Sequence, residues 1–99
     1  MSTSRISVVA QVKAKPGKED ALRSALLAMV APSRLDAGCL GYDLHESPEA
    51  PGQFMFYENW ESKELLDNHL KQPHLTAFFA RLPELVDGAP ELTIWKKLS

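Results

Sequence analysis

The chain has 99 residues, 44% of them hydrophobic and 24% charged, and carries a net charge of −2 with a pI near 5.9. That length predicts one domain, 1–99, whose core is large enough to fold without metal or disulfide staples. The slightly acidic balance and scattered cations argue against nucleic acid or a membrane surface as partner, because phosphate binding rests on clustered Lys and Arg.

No apolar run approaches the roughly 18 residues that a membrane span requires. The start, MSTSRISVVAQVK, has no signal-peptide pattern, so cytoplasmic residence is expected. The single cysteine, Cys39, has no partner for an internal disulfide or a CxxC site and is given no role.

From Arg5 to Lys13, Ile6, Val8, Ala10 and Val12 alternate with Ser7, Val9, Gln11 and Lys13, the period-two pattern of a strand. Pro16-Gly17 ends it. Leu22, Ala25, Leu26, Met29 and Val30 then follow at helical spacing. Glu19 and Asp20 precede them, in a first turn where the helix dipole favours negative charge. Pro32 is expected to kink or end this helix, and Asp36-Ala37-Gly38 to stop it.

Leu40 to Glu46 and Gln53 to Trp60 are predicted strands joined by the turn formers Ser47 to Gly52, hence a hairpin. Ser62 can cap a helix running to about Gln72, with Leu65, Leu66, His69 and Leu70 inward. Pro73 breaks that helix and opens another, carrying Leu75, Phe78, Phe79, Leu82, Leu85 and Val86, which Pro83 is expected to distort. Asp87 to Pro90 turns the chain into a last strand, Glu91 to Leu98.

The order β-α-β-β-α-α-β predicts an α+β, ferredoxin-like split βαβ fold: a four-stranded antiparallel sheet with helices on one face. Both faces of the strands are apolar. Phe54, Phe56 and Trp60 alternate with Met55 and Tyr57, and Leu92 and Ile94 with Trp95, so a homodimer joined sheet to sheet is expected.

Several motifs carry a resemblance. Trp60-Glu61-Ser62, Leu66, His69-Leu70 and Pro73-His74, with Lys15-Pro16-Gly17-Lys18 and Ala37-Gly38-Cys39-Leu40-Gly41-Tyr42, resemble the antibiotic biosynthesis monooxygenase (ABM) domain family of quinol monooxygenase-like proteins. The resemblance spans almost the whole chain. It implies a dimeric α+β barrel with a pocket between sheet and helices. It also implies insertion of oxygen from O2 into a small quinol or polyphenol without metal, flavin or nicotinamide.

No glycine-rich dinucleotide fingerprint, phosphate-binding loop or cysteine cluster is present, so no cofactor is expected. On one helix His69 and His74 would diverge by about 140°. With His45 away in the hairpin, no metal site is expected. The haem-degrading branch of the superfamily aligns its asparagine, tryptophan and histidine with Ala10, His69 and Phe79, none of which matches.

Oxygenation without a cofactor makes the substrate the reductant, so the protein must supply a base, orientation and a dry cavity. His69 is the candidate base, near a helix C-terminus that favours its protonated form; Glu58 is expected to orient it or to take the proton itself. Tyr42, Asn59, Trp60, His74 and Phe78 are read as substrate-binding residues, His74 as a neutral hydrogen-bonding group in the first turn of its helix. Two other functions stay open: an isomerase of a small keto or hydroxy metabolite using the same base, and a non-catalytic small-molecule binding dimer.

Overall fold

Alternating apolar residues build the central sheet. The computed structural model describes residues 4–99, and the expectation for the extreme amino terminus falls partly on residues 1–3, outside them. The strands are β1 (Ile6–Lys13), β2 (Cys39–Glu46), β3 (Gln53–Trp60) and β4 (Glu91–Lys96), all antiparallel to their neighbours in the order β2-β3-β1-β4. That order, with the helices between β1 and β2 and between β3 and β4, is the ferredoxin-like arrangement expected.

Register decides which side chains face inward. Val8 of β1 pairs with Glu58 of β3, and Glu58 with Tyr42 of β2, so all three share the helix-covered face. Ile6, Phe54, Phe56 and Trp60 join them in the core, and Trp60 is 0% exposed. Removing a tryptophan's apolar area from water contributes roughly 4–6 kcal/mol before entropy is counted.

The first helical segment departs from expectation. It divides into α1 (Glu19–Leu27) and a short α2 (Val30–Arg34), with Pro32 inside the second piece. A single helix through Pro32 would lose the bond to Ala28 and drive the ring into that carbonyl. Restarting at Val30 instead places Pro32 in a first turn, where no amide hydrogen is needed. Leu22, Leu26 and Met29 still form the buried stripe.

Gly38, at φ +84°, then turns the chain into β2. Its missing side chain matters, since a Cβ there would lie 2.7 Å from Cβ of Leu65. The glycine therefore lets α3 (Lys63–Leu70) lie close against the start of β2. Ser62 caps α3, its Oγ accepting from the Leu65 amide at 3.2 Å. After a break at Lys71-Gln72, α4 (Pro73–Leu85) begins on Pro73 and continues through Pro83 without ending there.

The face opposite the helices carries Leu40, Tyr57 and Trp95 in exposed positions. Every residue of β4 is exposed, including Leu92 and Ile94 on its helix side, so this edge strand extends beyond the helical cover. None of the helices among the described residues is long and apolar enough to cross a membrane.

Candidate active site

Sheet and helices enclose a cavity of about 80 Å³, with walls from Ala10 of β1, Tyr42 of β2, Phe56 and Glu58 of β3, Leu66 and His69 of α3, and Phe78 and Phe79 of α4. Only three of the lining side chains are polar: Tyr42, Glu58 and His69. Few polar groups in an apolar enclosure make each charge costly there, and burial dominates all three.

Glu58 is 5% exposed, and burial pushes its carboxyl up to about 7, against a weaker opposing effect from the Trp60 hydrogen bond. Trp60 Nε1 donates to Glu58 Oε1 at 2.9 Å. Burial also raises the Tyr42 phenol well above its ordinary value, opposed by a hydrogen bond with Ser33.

His69 is held on several sides. Its ring lies over Trp60 with centroids 4.5 Å apart, and it meets Tyr42 edge-on at 5.5 Å. Its Nδ1 contacts Asp36 Oδ2 at 2.6 Å. Burial lowers the imidazole's pKa, while the Asp36 hydrogen bond and charge work the other way. A neutral ring whose Nδ1 hydrogen is donated to a carboxylate keeps its lone pair on Nε2, the arrangement a general base needs.

His74 completes the cluster from the next helix. Its Nε2 lies 3.0 Å from Ser33 Oγ and 3.7 Å from Asp36 Oδ2, and its ring centroid is 5.9 Å from that of His69. Ligand atoms of Asp36, His69 and His74 all fall within 4.8 Å of one another, a set that could hold a metal ion. The expected divergence of the two histidines is thus corrected. It holds for one continuous helix, but the break before Pro73 redirects the chain and brings the rings together.

The sequence pattern described as antibiotic biosynthesis monooxygenase matches residues 5–81. The chain belongs to the ABM family. A Mycobacterium tuberculosis protein named "Putative monooxygenase Rv0793" is 35% identical over 92 residues, covering 93% of this chain and 90% of that protein. "Probable quinol monooxygenase YgiN" of Escherichia coli K12 is 31% identical, covering 74% of this chain and 80% of its own length. The crystal structure of PA3566 from Pseudomonas aeruginosa superposes with a TM-score of 0.92 at 31% identity, covering 98% of this chain and 97% of that one.

Within this ABM domain the residues singled out from sequence separate into two groups. Glu58, His69, Tyr42 and Phe78 line the cavity together. Asn59 does not: one position beyond Glu58 in an extended strand, it lies on the opposite face and accepts from Ser7 Oγ at 2.7 Å. Trp60 stands behind the wall, packed against His69 with the ring planes tilted by 35°, and bonded to Glu58. His74 lines a shallow outer groove with Ala25, Ala77 and Arg81 instead of the cavity.

Glu58 orients Trp60 and not His69; the residue that orients His69 is Asp36, which sequence reasoning treated only as part of a helix stop. Arg34 donates to the Tyr42 carbonyl and to Asp43. Ala10, His69 and Phe79, the positions matched to the haem-degrading branch, all border the ABM cavity. A phenylalanine offers iron no lone pair.

Proposed function

We propose that this ABM protein is a cofactor-independent monooxygenase acting on a small quinol or polyphenol, with His69 as the base that ionises it. The observation that carries the reading is the part-buried contact at 2.6 Å between Asp36 and His69, the latter on the wall of an apolar cavity. Asp36 holds the ring with Nε2 free, and Trp60 fixes its plane. The names of the M. tuberculosis and E. coli relatives support oxygen chemistry of this class.

Removing the phenolic proton raises the energy of the ring's electrons and eases their transfer to O2. A phenol that gains one oxygen atom and becomes a quinone releases the other oxygen as water, so the substrate supplies all four electrons. Glu58, held near 7 by burial, is a second proton acceptor or donor for the reacting oxygens. Tyr42 keeps its phenolic hydrogen and is a donor for substrate oxygen.

Size limits the substrate. A cavity of about 80 Å³ is tighter than the roughly 150 Å³ known to admit benzene, so a ring enters only if a wall residue yields. Phe79 and Leu92, at 44% and 46% exposure, form the yielding edge. Two copies joined through the open sheet face, where Leu40, Tyr57 and Trp95 are exposed, complete the assembly we propose.

The test is oxygen consumption with single-ring and two-ring quinols. Uptake of one O2 per quinol, with release of a quinone carrying one added oxygen atom from O2 and no hydrogen peroxide, supports the reading; release of the parent quinone with hydrogen peroxide, or proton exchange without oxygen uptake, would refute it. Sedimentation at micromolar concentration showing only the 11.0 kDa species would exclude the dimer.

A further inference from the structure

We propose that Asp36, His69 and His74 form a site for one divalent transition-metal ion of the zinc class, reached from the outer groove, and that filling it removes His69 from service as the cavity base. The second half rests on the monooxygenase reading above; the first does not.

Three segments supply the donors: the loop after α2, the last turn of α3 and the first turn of α4. A tetrahedral ion with bonds of about 2.0–2.1 Å holds its donors roughly 3.3 Å apart. The observed separations are 2.6 Å for Asp36 and His69 and 3.7 Å for Asp36 and His74, with all three atoms inside 4.8 Å. Each contact with Asp36 therefore needs to change by less than about 1 Å, and the two histidine nitrogens need to close by up to about 1.5 Å.

The residues able to make that change are the outer two. His69 is fixed by Trp60 and Tyr42, whereas the side chains of Asp36 and His74 are 14% and 21% exposed. His74 would release Ser33 Oγ, and a water would fill the fourth position from the groove. Two neutral imidazoles and one carboxylate select zinc, cobalt, nickel or copper over magnesium and calcium, which prefer all-oxygen sites. The nearby cations are otherwise engaged: Arg34 pairs with Asp43 at 3.0 Å, and Arg81 lies 3.6 Å from Glu84.

Proton accounting links the site to the cavity. An ion bound at Nδ1 displaces the hydrogen now shared with Asp36, and the ring then carries its one hydrogen on Nε2. Nε2 thereby becomes a donor and can no longer accept a proton from a phenol.

Metal-free, full-length protein titrated with Zn2+ by calorimetry, and with Co2+ by visible absorption, tests the site without substrate. One ion per chain and a four-coordinate Co2+ spectrum are expected. His74→Ala and Asp36→Asn should each weaken binding by more than about 100-fold, beyond the 10–100-fold cost of losing an outer partner. His45→Ala, on the exposed hairpin, should leave it unchanged. Absence of saturable binding, or binding that survives His74→Ala or vanishes with His45→Ala, overturns the proposal.

Nitrogen NMR of His69 in the Zn2+-loaded protein reads the second half directly. Metallated Nδ1 with protonated Nε2 supports silencing of the base, and the reverse assignment refutes it. Because neither measurement requires turnover, failure of the monooxygenase reading would appear separately, as quinol oxidation absent from the metal-free protein.

Discussion

His69 and Asp36, 33 residues apart in sequence, meet through a 2.6 Å contact between Nδ1 and Oδ2. This pairing makes a buried imidazole directional: one nitrogen is committed to a carboxylate, and the other is the one to which we assign the substrate's proton. Asp36→Asn keeps the shape and removes the charge. We expect oxygen uptake to fall by about 100-fold or more, within the range for general-base catalysis, with a loss of about 1–3 kcal/mol in stability. An activity loss no greater than the loss of folded protein would mark Asp36 as structural only.

Glu58 sets a pH dependence of opposite sense to that of a salt-bridged carboxylate. Its folded value of about 7 lies above its ordinary 4.5, so between these pH values the folded protein keeps a proton that the unfolded chain has lost. The resulting stability is fully present below about 4.5 and declines as pH rises through about 7, by about 3 kcal/mol in total. Glu58→Gln should flatten this slope in urea unfolding between pH 5 and 8. An unchanged slope would show that the carboxyl is not held protonated.

Gly38 and Gly17 provide a matched comparison. Both have left-handed backbones, at φ +84° and +85°, but a Cβ at Gly17 meets nothing within 4 Å whereas one at Gly38 runs into Leu65. Gly17→Ala should cost about 1–2 kcal/mol from backbone strain alone. Gly38→Ala should cost about 1–3 kcal/mol more, because α3 must move away. Equal losses in denaturant midpoints would contradict the close approach of α3 to the start of β2.

Phe79 stands on the yielding edge of the cavity, where truncation removes a ring without cutting into the core. Phe79→Ala should raise kcat/KM for two-ring quinols relative to single-ring ones. A uniform effect on both would place the ring away from the substrate's path.

The fold was legible because its signals are local. Alternation from Ile6 to Lys13 and from Gln53 to Trp60 reports which face is buried, and the Ser62 cap and Pro73 start mark helix ends through their own backbone chemistry. The same alternation separates Glu58 from Asn59, since adjacent strand residues face opposite ways, yet it leaves open which of them is inward. Asp36 was not legible. Its partner lies on another helix, and an aspartate ahead of a glycine at a helix end has the same local pattern whether or not it touches a histidine. The nearness of His69 and His74 was hidden for a related reason: a short break between helices changes direction in a way that helical periodicity does not describe. The division between α1 and α2 followed from where the chain places Pro32, which Pro32 alone leaves undetermined.

The most direct test of the central claim is oxygen uptake by His69→Ala with a quinol, with and without added imidazole, alongside its unfolding midpoint. We expect a folded protein whose uptake is lost and then partly restored by imidazole entering the vacated space. Full uptake without residue 69's ring, or loss that imidazole does not restore in a protein that stays folded, would contradict the assignment of His69 as the base.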